Sequence, residues 1–522
     1  MNVSVKLSGQ ELDWALGYLE SGGSSFAYPE PFELAALRHS WDKVRPALER
    51  VELLAYDPQP CVQMSAPKQR FLVRPVHLLD PIDALFYTGL TFRLAPGIEA
   101  TRARYKDGRV FSYRLNPGKL GSKESFVSDW DARTARLEEL CSQHRFVGAT
   151  DIVDFFPRIY LHRLQNSLEA VSGDVYGTRA LMRLVQGWSA GTSYGIPTGP
   201  QASNYLAEAL LIEVDEYLLN LGMEFVRWVD DYWVFGDTEP EVVAGLFRLG
   251  ERLHETQGLS LNPAKTHILT SVDFWTKVLH RSDPVAEWRA DTLDEILEEY
   301  GPYASVNIDD LRDDQIEAID ALDARSILEG ALAEELVDLH VVKFILQFLS
   351  TFRRPELVGL VLDNLPLLMP MGDSVARFLD ALDGVDEADH EAIGERLTTY
   401  IAGGGFVPEF QTMWLLDPFT RSANWGNLAE LRHIARDTRS PMIRRQAILG
   451  IMRSGDRSAI LDAKTALGGS RDWEERAILL ACSRLPADER DAIIAQAGGT
   501  GGSWTVSDCL KKSVLAYMKT DS

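Results

Sequence analysis

Three aspartates stand where the chain could hold divalent cations: Asp151, and the adjacent pair Asp230 and Asp231. Two-metal nucleotidyl transfer needs carboxylates from separate elements, holding two ions about 3.5–4 Å apart. One ion activates the attacking oxygen and the other steadies the leaving phosphate. Mg²⁺ is satisfied by one or two protein carboxylates plus substrate phosphates, so two or three Asp suffice. Asp-Asp dipeptides are common, and this chain has others at 309–310 and 313–314, in a polar stretch that reads as solvated loop. The pair at 230–231 differs, because Phe225-Val-Arg-Trp-Val precedes it and Tyr232-Trp-Val-Phe235 follows. Carboxylates inside an apolar hairpin are costly unless something positive binds them, and a cation is the simplest candidate.

The flanking pattern says what must position them. Asp151 closes Phe146-Val-Gly-Ala-Thr-Asp151, a short apolar strand, and Ile-Val-Asp154-Phe155-Phe156-Pro157 follows. Residues 223–235 are two β-rich runs around the Asp pair, a hairpin with an acidic tip. Between these, residues 200–220 carry apolar side chains at 206, 209, 210, 214, 217 and 218, a helical period that starts near Pro200 and Ser203. Residues 241–257 read as helix, and Gly258-Leu-Ser-Leu-Asn-Pro-Ala-Lys265-Thr-His-Ile-Leu returns to strand. That order predicts an α+β palm whose antiparallel sheet is covered on one face. Upstream, residues 1–145 read as mixed helix and loop, with one edge strand around Phe71-Leu-Val-Arg74-Pro75-Val-His-Leu-Leu.

These residues also resemble a known family. Thr150-Asp151-Ile-Val-Asp154-Phe155-Phe156-Pro157 resembles motif A of reverse transcriptases. Gly195-Ile-Pro-Thr-Gly199-Pro-Gln-Ala-Ser203 is similar to their motif B, Trp228-Val-Asp230-Asp231 to motif C, and Leu261-Asn-Pro-Ala-Lys265-Thr266 to motif D. Arg74-Pro75, with Lys68 and Arg70, is similar to the fingers strand that grips the incoming triphosphate. The resemblance covers residues 65–275 and implies a role for each match. Asp151 and Asp230 would bind Mg²⁺ or Mn²⁺, with Asp231 the supporting carboxylate. Asp154 and Phe155 would offer backbone N–H groups to the triphosphate, and Phe156 would exclude a 2′-hydroxyl. Arg74 would contact the nucleotide, Lys265 would neutralise or protonate the leaving pyrophosphate, and Gly199 and Ser203 would shape the template or nucleotide surface. Plainer readings stand beside these: Phe155 and Phe156 as core, Lys265 as a solvated lysine, Ser203 as a helix cap. Two departures alter that surface: Thr198 replaces the usual Gln of motif B, and Trp228 replaces the Tyr that opens motif C.

The implied fold is a right-hand polymerase with fingers and palm, followed by an all-α helical-repeat domain. Its expected parts are an N-terminal region and fingers (1–145), a palm (146–285), an acidic connector (286–330) and helical repeats (331–522). Ile443-Arg-Arg-Gln-Ala447-Ile-Leu449 matches Trp473-Glu-Glu-Arg-Ala477-Ile-Leu479 at a 30-residue offset, as stacked helix pairs would. An irregular helical bundle is the alternative. The form of motif B, Phe111-Ser-Tyr-Arg114-Leu and the helical C-terminal half look like the bacterial antiphage, abortive-infection reverse transcriptases. That implies DNA synthesis from dNTPs in phage defence, in some members protein-primed and without a conventional template, by a homo-oligomer.

Charge bears on the partners. The 522 residues carry a net charge of −24, which on first sight disfavours nucleic acid. Residues 1–270 account for −7 and the remainder for −17, while residues 68–123 have a local net of +7. A basic stretch of this kind suits a localised polyanion site. An acidic helical array would repel duplex phosphates, so it is expected to scaffold the palm or bind a protein rather than act as a thumb. No apolar run is long enough to cross a membrane. Four scattered cysteines and the absence of a leader suit a reducing cytoplasm, which the resemblance implies is bacterial. A template-copying enzyme with an associated RNA, an RNA-synthesising polymerase and a catalytically silent binding scaffold remain as alternatives.

Overall fold

The computed structural model of the protein describes residues 3–25, 27–69, 72–102, 108–189, 191–280, 312–382, 385, 389–466 and 472–520. Arg70, Phe71 and residues 286–311 of the expected acidic connector, Asp309 and Asp310 included, lie outside the described residues. The rest of that connector, 312–330, is mostly helix, and its Ile319, Ala324 and Leu328 belong to the core of the C-terminal helices. Asp313 and Asp314 are not loop, since they open the helix Asp313–Ala321.

A two-stranded hairpin comes first, β1 (Val62–Gln69) against β2 (Leu72–Leu78), with Arg74 opposite Ala66 and Pro75 opposite Ser65. Both strands are edges, so Pro75 withholds no ladder donor from a third strand. A small ribbon follows, β3 (Arg114–Leu115) with β4 (Phe126–Val127). The four-stranded sheet contains β5 (Phe146–Asp151), β6 (Glu224–Trp228), β7 (Asp231–Gly236) and β8 (His267–Thr270), in the order β6-β7-β5-β8 and antiparallel throughout. The C-terminal strand is shorter than its sequence suggests: 258–266 is turn and loop, bridged to the sheet at Leu261 and Ile152.

Register fixes which side chains share a face, because residues directly opposite each other project to the same side. Asp151 pairs with Asp231 and Ala149 with Trp233, while Trp228 pairs with Asp231 and Val226 with Trp233. All six therefore lie on one face. Gly148, Thr150, Arg227 and Tyr232 lie on the other. The sheet is covered on both faces, not one. On the second face the helix Glu239–Arg252 comes so close that a Cβ on Gly148 would meet Val242 Cγ1 at 2.7 Å. On the first, Leu137 and Leu140 of the helix Trp130–Gln143 pack with Val147, Val226, Phe235 and Phe274. That helix precedes the first palm strand and buries only three of its side chains, so its periodicity is faint in the sequence.

The helix Gln201–Asn220 forms where the spacing predicts it. The 22-residue helix Pro81–Arg102 is buried nearly all round and so lacks an amphipathic signature. From 339 onward, helices starting at Leu339, Gly372, Glu409, Pro441, Asp472 and Cys509 each pack on the next of that series. The two segments matched at a 30-residue offset lie on neighbouring members, Pro441–Ser454 and Asp472–Ala481. This array is seated on the N-terminal part of the chain and the β1–β2 hairpin. Met64, Val76 and Leu78 share a core with Phe410, Met413, Trp414, Met442 and Trp473. Within the seam, Arg445 grips Glu33 with two hydrogen bonds of 2.8 and 3.0 Å, and Arg476 reaches both Glu33 (2.9 Å) and Asp80 (3.1 Å).

Candidate active site

Asp151 is the last residue of β5, and the chain leaves it through two backbone bonds that fix the exit. Ile152 N–H donates to Asp230 O (3.1 Å) and Val153 N–H to Ser260 O (3.0 Å). Asp231 begins β7, opposite Asp151, and Asp230 occupies the turn before it. The turn is made by Val229 at φ +56°, a left-handed conformation that a β-branched residue adopts only under constraint. The constraint is visible. Val229 N–H donates to Ser112 Oγ (3.0 Å), and its carbonyl accepts from Arg227 Nη1 (3.0 Å). Ser112 in turn donates to Glu208 Oε1 (2.7 Å), and Arg227, fully buried, binds Glu208 Oε2 (2.7 Å) and both oxygens of Asp215. Tyr232 Oη completes the network on Asp215 (3.1 Å). Buried charges survive only when paired and hydrogen-bonded, and here every charge is.

The carboxylates gather positive charge. Lys265 Nζ lies 2.5 Å from Asp151 Oδ2, carried there by a turn in which Asn262 N–H donates to Asp151 O and Lys265 N–H to Asn262 O. Thr150 and Thr266 tie the same turn to β5 through their hydroxyls (2.7 Å). Asp151 Oδ1 is buried and has no hydrogen-bond partner among the described residues. Burial, with the charge of Asp151, raises the Asp230 carboxyl above its ordinary range; Lys265 and Arg74 pull it back. Burial and the neighbouring Asp230 push Asp231 to about 6. Burial acts to lower Lys265, but its contact with Asp151 and the charges of Asp231 and Asp230 outweigh that and raise it. An orphaned carboxylate oxygen beside two acids that ionise reluctantly is chemistry that fits a divalent cation. Among the described residues no three His, Cys, Asp or Glu side chains converge as a ready-made ligand set. Mg²⁺ bound with a nucleotide needs no more than one or two of them.

The remaining positions divide. Arg74 is exposed on β2 and acts electrostatically on Asp230. Asp154 is exposed, in a left-handed conformation (φ +47°), with Arg158 3.7 Å from its carboxylate. Phe155 belongs to the core, whereas Phe156 is half-buried, its ring 5.3 Å from that of Phe155. Gly199 does not line an open surface. It lies at φ +126° against the fingers hairpin, where a Cβ would meet Ser25 Oγ at 2.6 Å and His77 O at 2.9 Å. Beside it, His77 N–H donates to Thr198 O (2.7 Å) and Thr198 N–H to His77 Nδ1 (3.0 Å), zipping the hairpin to the loop. Ser203 neither caps its helix nor reaches a surface. It is fully buried, 2.9 Å from Tyr87 Oη, because it falls on the inner side of the helix's first turn.

Sequence reasoning missed the support beneath the Asp pair: Ser112, Glu208, Asp215 and Arg227. One signal was present. Glu208 and Asp215, seven residues apart, share the mostly apolar buried side of their helix, and buried acids demand a buried base.

Residues 108–289 match the protein family described as reverse transcriptase (RNA-dependent DNA polymerase). No curated protein matches the chain. Among solved structures, the telomerase of Candida albicans in complex with a TWJ fragment of telomeric RNA is similar at a TM-score of 0.32 and 11% identity. That alignment covers 78% of this chain and 72% of the telomerase chain. The chain therefore carries a reverse-transcriptase domain, a polymerase of the nucleotidyl-transferring kind, followed by helices.

Proposed function

We propose that the protein makes DNA from dNTPs at Asp151, Asp230 and Asp231. The observation that carries this is the buried Asp151 carboxylate, with one oxygen on Lys265 and one without a partner, opposite Asp231 in the sheet. Two divalent ions on these carboxylates would supply charge for the attacking oxygen and the leaving pyrophosphate. The protein's own residues do the rest. Arg74 meets the incoming triphosphate from the fingers hairpin. The backbone N–H groups of Asp154 and Phe155, free of acceptors among the described residues, stabilise its negative charge. Lys265 turns from Asp151 to the pyrophosphate as it leaves. Phe156 stands under the sugar and selects against a 2′-hydroxyl.

We further infer a role in antiphage defence, with a protein hydroxyl as primer. The motif resemblance favours it, and so does an acidic helical half that is packed on the β1–β2 hairpin and paired with Glu33 rather than free to close as a basic thumb. The test is to incubate the purified protein with each labelled dNTP and Mg²⁺ or Mn²⁺, without primer or template, beside an Asp230→Ala/Asp231→Ala control. Product that stays with the denatured protein and vanishes in the control supports protein priming. Activity that needs added primer and template establishes a template-copying enzyme instead.

A further inference from the structure

An aromatic and cationic cluster lies beside the aspartate hairpin, and none of the roles above uses it. Trp130 opens the helix Trp130–Gln143 with 56% of its surface exposed. Its ring meets Trp228 edge-on, with centroids 5.2 Å apart. Arg133, one turn along, lays its guanidinium 3.5 Å from the Trp130 ring centre, and 5.4 and 5.3 Å from those of Trp228 and Trp233. The sheet register ties the cluster to the site: Trp228 is directly opposite Asp231, and Trp233 projects from the same face.

Arg133 is buried among these rings, and its burial does not require so much of Trp130 to remain in water. The indole, packed against Arg133 and Trp228, stands on a helix end that is also held before anything binds. Asp129 caps the helix by accepting from Ala132 N–H (2.9 Å), and Asp129 N–H donates to Phe111 O (3.1 Å). A side chain already fixed loses little freedom on binding. Exposed aromatic faces of this kind stack unpaired nucleobases with little regard for sequence. Asp129 and Asp131 flank Trp130 and are both exposed, so phosphate is repelled there and an uncharged ring is favoured.

We propose that Trp130, backed by Arg133 and Trp228, is a stacking platform for the base at the 3′ end of the strand being extended. This rests on the polymerase reading of Asp151, Asp230 and Asp231, and places the end of the growing strand on the Trp228 side of the hairpin.

The test uses the full-length protein and single-stranded oligonucleotides carrying 2-aminopurine either at the 3′ terminus or at an internal position. The platform quenches the terminal probe in the wild type and in Asp230→Ala/Asp231→Ala. Quenching is lost in Trp130→Ala, restored in Trp130→Phe, and unchanged throughout for the internal probe. In assays that extend an added single strand, Trp130→Ala raises KM for that strand about tenfold, with a smaller effect on kcat. That difference persists at high salt, because stacking releases no counterions. Equal quenching by wild type and Trp130→Ala, equal loss at both probe positions, or no quenching by the wild type overturns the platform. Trp130-dependent quenching without any DNA synthesis overturns the polymerase reading and keeps a base-binding site. Synthesis by Trp130→Ala with an unchanged KM does the reverse. Circular dichroism of Trp130→Phe and Trp130→Gln separates these results from misfolding.

Discussion

The hydroxyl of Ser112 accepts the backbone N–H of Val229 at 3.0 Å while donating to Glu208, so one side chain joins the turn that carries Asp230 to the buried charges beneath it. Ser112→Ala removes both bonds. Stability is expected to fall by about 1–2 kcal/mol, and kcat by about tenfold as Val229 relaxes from its positive φ. Urea unfolding and steady-state dNTP incorporation check the two effects separately. A loss of stability with unchanged kcat would mean the turn is held without Ser112.

Asp230 and Asp231 are held in conditions that disfavour their ionised forms. Asp230→Asn is therefore expected to raise the melting temperature at pH 8 while reducing nucleotide incorporation by at least ~10³-fold. Calorimetry alongside the incorporation assay decides this, and a destabilised Asp230→Asn would show that the carboxylate is structurally required.

Asp83 offers a pH signature away from the site. Burial and the charge of Asp80 raise it to about 7, although Tyr56, Gln59 and Trp188 donate to it. The folded state then binds a proton that the unfolded chain releases near pH 4, so stability falls as pH rises from about 4 to about 7. Asp83→Asn keeps the acceptor for Gln59 and offers an N–H to Tyr56. Its stability gain over the wild type is expected to be larger at pH 8 than at pH 5 in denaturant titrations.

Gly199→Ala would place a methyl group against Ser25 Oγ and His77 O at a φ of +126°. The expected cost is about 1–3 kcal/mol of stability. KM for dNTP should rise as well, since the same contact seats the hairpin that bears Arg74. Unfolding and dNTP titration of this variant, next to Gly191→Ala at an open positive-φ site, separate backbone strain from loss of the seat.

Glu33 is the only carboxylate that both Arg445 and Arg476 engage across the seam, among the described residues. Glu33→Ala leaves buried guanidinium groups under-paired and is expected to cost about 3–5 kcal/mol. Replacing Glu33 and Arg445 together by Met should recover much of that loss in urea unfolding, and a simple sum of the single losses would refute the pairing.

The sequence alone was enough to recognise Asp151 at a strand end, Asp230 and Asp231 at a hairpin tip, and the helix between them. Each is a local pattern: alternating apolar residues, a turn, a 3.6-residue period. The stacking of helices at intervals of about 30 to 40 residues was also visible, because Ala447-Ile-Leu449 and Ala477-Ile-Leu479 repeat one buried face. The long helix Pro81–Arg102 was not, since burial on all sides erases the period. The sequence also could not show that the helix Trp130–Gln143 covers the aspartate face and brings Trp130 beside Trp228, 98 residues away. Tertiary structure alone placed Ser203 in the core, turned Gly199 towards the hairpin, and set Glu33 on Arg445 across 412 residues. Local preferences fix which element a residue enters. Which residues meet across elements depends on burying apolar surface and pairing every buried charge at once, and that balance exists only in the folded chain.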